Sequence, residues 1–128
     1  MKVLTIILIV AVGFVALAQT EKTIESAPAN YLKALKSDND GMVESAIFHS
    51  LKYKLYYPEQ ETANLEKEIN NLMTDAGSET IRYKAFLAAQ FMQNDVLLDS
   101  VEKKDYKNEA EFFKMLSEEL NDHYVAAK

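Results

Sequence analysis

The chain has no cysteine and no tryptophan, and of its 128 residues only three are glycine and two are proline. Without cysteine there is no disulfide scaffold, no thiolate-ligated zinc or iron–sulfur centre and no thiol nucleophile. Gly41 and Gly77 are the only glycines after residue 13, too few for a phosphate-cradling loop. Positive charge is also short, with 14 Lys plus Arg against 20 Asp plus Glu and a formal charge of −6. That balance argues against a nucleic-acid binder that gains affinity by neutralising phosphates. Runs of alternating polar and apolar residues, the mark of half-buried strands, are almost missing.

Long apolar runs are confined to the start. Residues 1–18 carry one charge, Lys2, followed by the apolar stretch Val3 to Val15 and the small-x-small triplet Ala16-Leu17-Ala18. This is the pattern of a bacterial secretory signal peptide cleaved after Ala18. A spanning helix needs about 20 apolar residues, and Gln19-Thr20-Glu21-Lys22 stops the run earlier with no basic stop-transfer cluster behind it. The expectation is a periplasmic or secreted protein, residues 19–128, with no stable membrane insertion after cleavage. Its formal charge would be −7, because Lys2 leaves with the leader. A chain of that length can bury one core without staples.

The sparse turn residues divide the remainder into segments of helical length, predicting an all-α domain of about five helices. Ser26 is placed to cap a first helix with Pro28 in its first turn, where a missing N–H costs nothing, and Ser37 to Gly41 ends it. The second helix runs from about Met42 to Tyr57 and stops at Pro58; the third runs from about Glu59 to Met73. Ser78 caps a fourth, Glu79 to about Gln93, and Asn108-Glu109-Ala110-Glu111 opens a last helix as a capping box. Asp95 to Lys104 reads equally as a short helix or a packed loop. The second and fourth helices are apolar over more than half their circumference and should be flanked on several sides. The third and last carry one narrow stripe and should lie outside them.

Leu35-x-x-Asp38 before Met42-Val43-Glu44-Ser45-Ala46 aligns with Leu72-x-x-Asp75 before Ile81-Arg82-Tyr83-Lys84-Ala85, about 39 residues further on. With Ala88 and Ala89, the second block resembles the HEAT repeat, whose pattern has an aliphatic residue, Arg, two free positions and Ala; the first block lacks the Arg. Over residues 29–93 the resemblance implies two antiparallel HEAT-like hairpins of an α-α superhelix, capped by the C-terminal helix. It also implies protein binding, and it carries no catalytic residues.

Site signals are few. Asp38-Asn39-Asp40-Gly41 lacks the EF-hand ligands, since Lys36 and Ile47 occupy the first and twelfth positions; it reads as a polar turn in which Asp40 caps the next helix. His49 and His123 lie in different helices with no H-x-x-x-H partner. No serine sits in a Gly-x-Ser-x-Gly elbow. No metal, cofactor or catalytic residue is therefore assigned. The aromatic and basic concentration Lys52, Tyr53, Tyr56 and Tyr57 is the candidate partner surface, against the alternative that these tyrosines finish the core while the lysines reach outward. The expected function is a non-enzymatic interaction module for another envelope or secreted protein. The alternative is a helical carrier of an apolar or aromatic molecule, held in a cavity lined by Phe48, Phe86, Phe91 and Met92.

Overall fold

The computed structural model describes residues 21–126, all of whose regular structure is helical. The export signal and its cleavage after Ala18 lie outside the described residues. Helix α1 covers residues 21–35, α2 Asp40–Tyr56, α3 Ala63–Asp75, α4 Glu79–Met92, α5 Asp95–Ser100 and α6 Glu109–Ala126. The sixth helix is the short α5, which resolves the ambiguous segment. Asn94 makes it, its side-chain oxygen accepting from the N–H groups of both Val96 and Leu97.

Helix boundaries follow local capping chemistry. Asn39, not Asp40, caps α2, with Oδ1 accepting from Met42 N–H at 3.1 Å. Ser78 caps α4 through Ile81 N–H, and Asn108 accepts from Glu111 N–H at the start of α6. Helix α3 begins four residues later than Glu59. Beyond Pro58 the chain makes a turn closed by Gln60 N–H to Tyr57 C=O, and the Glu61 carboxylate takes the Ala63 N–H at 2.7 Å.

The first helix departs most from expectation. It is already helical at residue 21, so Ser26 is not its cap and Pro28 stands in its interior. An interior proline removes the hydrogen bond to the carbonyl four residues earlier, here Ile24. The Tyr53 hydroxyl of α2 donates to that carbonyl at 2.8 Å. A side chain 25 positions away thus supplies the donor that Pro28 lacks.

Helix α4 is central and packs against α2, α3, α5 and α6. It can do so because Ile81, Ala85, Leu87, Ala88, Ala89, Phe91 and Met92 are buried around most of its girth, the alanines allowing close approach. Helix α3 buries only Leu65 and Ile69, and α6 buries the stripe Phe112, Phe113, Leu116 and Leu120. One contiguous core joins all six helices, from Leu35 to Leu120. Each fully buried Leu, Ile or Phe contributes about 1.5–3 kcal/mol, so packing carries the fold without cross-links.

Lys84 ties three elements at the edge of this core. Its ammonium lies 2.7 Å from Glu109 of α6 and 3.8 Å from Glu44 of α2, and 5.4 Å from the centre of the Phe113 ring. Arg82 donates to the Ala76 and Gly77 carbonyls and closes the α3–α4 turn. No helix among the described residues is long and apolar enough to cross a membrane.

Candidate functional site

The four residues expected to form a partner surface divide between two faces of α2. Lys52 and Tyr56, one helical turn apart, face the connector between α5 and α6. The Lys52 ammonium donates to the Tyr106 carbonyl at 2.6 Å, sits 3.4 Å from Asp105 and lies 4.9 Å from the Phe48 ring centre. The Tyr56 hydroxyl is buried beside the Tyr106 backbone without a hydrogen bond of ordinary geometry. Burial pushes its pKa up, the Asp105 carboxylate adds to the rise, and the Tyr106 backbone offsets part of it.

Tyr53 and Tyr57 face the other way. Tyr53 is buried against α1, in edge contact with Tyr31, and burial raises its pKa, with Tyr31, Tyr57 and Glu25 adding to the rise. Tyr57 packs on Tyr53 with ring centres 5.3 Å apart and remains 40 % exposed. Of the four, only Tyr57 presents a large free surface. The other three spend their polar atoms or rings on α1 and the connector.

A different surface emerges along α4 and α6. Tyr83, Phe86 and Gln90, spaced i, i+3, i+7, form the outer strip of α4, opposite its buried side. The Tyr83 hydroxyl donates to Ser117 Oγ at 3.0 Å, and the Tyr124 hydroxyl donates to Gln90 Oε1 at 3.4 Å. Both pairs are separated by 34 residues, so α4 and α6 run parallel along this seam and their aromatic rings bridge it. Tyr83 is 52 %, Phe86 37 % and Tyr124 55 % exposed. The cavity expected from Phe48, Phe86, Phe91 and Met92 is therefore not formed by those four: three are buried in the core while Phe86 faces outward. Sequence reasoning missed this strip because it counted Phe86 with the apolar residues around α4. The signal was its company, since Tyr83 and Gln90 lie on the same side.

A concave feature of about 390 Å³ separates α1 from the start of α3. Pro28 and Leu32 form one wall, Leu65 the other, and Tyr53 also lines it. Glu25 and Glu61 line it too, without a basic side chain among the described residues that line it.

The histidines have separate surroundings. His49 stacks on Tyr31 at 6.0 Å, and its pKa is lowered chiefly by burial and by Lys52, with Glu109 acting the other way. His123 lies against Tyr124. Among the described residues no group of three or more His, Asp or Glu side chains is placed to hold a metal ion. No protein-family model, curated protein or solved structure matches this chain.

Proposed function

We propose that this protein is an exported, non-enzymatic interaction module that docks another envelope or secreted protein on the α4–α6 seam. The observation that carries the reading is the exposed aromatic strip Tyr83, Phe86 and Tyr124 over a contiguous core. Exposed apolar area of this kind, edged by uncharged polar groups such as Gln90 and Ser117, is what partner surfaces use. Tyrosine gives large contact area at low entropic cost, and Ser and Gln supply adaptable hydrogen bonds. We read α1–α2 and α3–α4 as two HEAT-like hairpins, with α6 lying along α4 as the closing helix. The approach of Glu44 on α2 to Lys84 on α4, 40 residues apart where the aligned blocks are offset by about 39, supports stacking of one hairpin on the other.

A photo-crosslinking residue at position 86, expressed in the protein's own host, tests the reading. The expected result is a discrete protein adduct that is absent when the crosslinker is moved to Lys103 and is lost with Tyr83→Ala plus Tyr124→Ala. An unadducted protein, or equal adducts from both positions, would refute it.

A further inference from the structure

The cleft between α1 and α3 has the dimensions of a small-molecule site, about 390 Å³ against the ~300–1,000 Å³ usual for such sites. Its chemistry narrows what can enter. Pro28, Leu32 and Leu65 offer apolar walls for a hydrocarbon or aromatic body. Two of its hydroxyls are already committed. Tyr53 donates to Ile24 C=O, and Thr62 donates to the Glu66 carboxylate at 2.9 Å while accepting from Lys54 at 3.3 Å. That leaves Tyr53 to contribute its ring, while Thr62 is held between the Lys54 ammonium and the Glu66 carboxylate.

Among the described residues, the charged groups lining the cleft are Glu25 and Glu61. Neither forms an ion pair among the described residues. Glu61 gives one oxygen, Oε1, to the Ala63 N–H and so screens the positive end of α3. Glu25 adds a second negative charge from the α1 side.

From this combination we infer that the α1–α3 cleft binds a small organic cation, an ammonium group on an apolar or aromatic body, with Glu25 and Glu61 facing the charge and Leu32 and Leu65 holding the body. An anionic ligand of the same shape would face two carboxylates, and a neutral one would gain no charge attraction from them. The site is separate from the α4–α6 seam, so either reading can fail alone.

The test is an amide NMR titration of the full chain with 2-phenylethylammonium, using 2-phenylethanol and 3-phenylpropanoate as neutral and anionic counterparts. Two exposed carboxylates favour the cation by about five-fold over the alcohol. Shifts are expected at residues 29–32 and 62–65, weakening as salt is added. Glu25→Gln with Glu61→Gln should bring the cation down to the alcohol's affinity with the helical circular dichroism unchanged, since the side-chain amide introduced by the second substitution keeps an acceptor for the Ala63 N–H. Glu25→Gln alone should give an intermediate loss. Equal binding of cation and alcohol, shifts that map elsewhere, or no shifts at millimolar ligand would overturn the inference.

Discussion

Ser50 shows how much one atom matters in this core. It is 0 % exposed in the middle of α2, and its Oγ has no hydrogen-bond partner among the described residues. A buried hydroxyl that has lost water and gained nothing costs about 1–3 kcal/mol, so Ser50→Ala should stabilise the protein by about 1 kcal/mol. For a domain of this size that raises the thermal midpoint by a few degrees, ~4–8 °C per kcal/mol. Thermal unfolding followed by circular dichroism checks it, and a lower midpoint would mean the hydroxyl is satisfied in solution. The sequence offers no warning of this defect, because serine in a helix is usually solvent-facing or bonded to the preceding turn. The burial of Ile47, Leu51 and Leu55 is legible at the same scale, since they recur each turn on one side of α2.

At the scale of elements, the apolar stripes of α2, α4 and α6 and the caps Ser78 and Asn108 are readable because they depend on neighbours in sequence. The partition of Lys52, Tyr53, Tyr56 and Tyr57 is not. Their adjacency suggests one patch, yet the 100° turn per residue sends i, i+4 pairs to α1 and to the connector, and which element waits on each side is a long-range fact. Lys52 acts as a clip on that connector through Tyr106 C=O. Lys52→Met keeps the stem over Phe48 and removes the ammonium, so α2 should remain intact while the connector loosens. Hydrogen exchange is expected to accelerate at residues 102–107 with little change in residues 43–55. Equal acceleration in both would show that Lys52 supports the whole core instead. The late start of α3 has a similar cause: Glu59 has a fair helix propensity, but the turn closed by Gln60 N–H on Tyr57 C=O holds it outside the helix.

At the scale of the whole molecule, tyrosines from three parts of the chain are held neutral. Tyr31, Tyr53, Tyr56 and Tyr106 all have pKa values raised above 10.0, in each case chiefly by burial. A folded-state pKa above the unfolded value means that the folded form keeps its proton longer. The associated stability is fully present below pH 10 and is lost as pH rises through the folded values. Denaturation midpoints should therefore be level from pH 8 to 9.5 and fall above pH 10, with phenolate absorbance from these four rings appearing together with loss of helix. Phenolate absorbance that rises fully before any helix is lost would contradict it.

The bond from Tyr53 to the carbonyl orphaned by Pro28 reaches across helices and makes two distant positions behave as one heritable unit. Tyr53→Phe strips the donor and leaves Ile24 C=O unpaired, at a cost of about 1–3 kcal/mol. Pro28→Ala restores a backbone N–H in register with that carbonyl, so the tyrosine hydroxyl becomes redundant there. The second substitution should act as a suppressor of the first. In a double-mutant cycle the Tyr53→Phe penalty measured in the Pro28→Ala background is expected to shrink by at least half, and additive penalties would dissolve the link. Drift at either site is then conditional on the residue at the other, so a lineage free to lose Pro28 is also free to lose the Tyr53 hydroxyl.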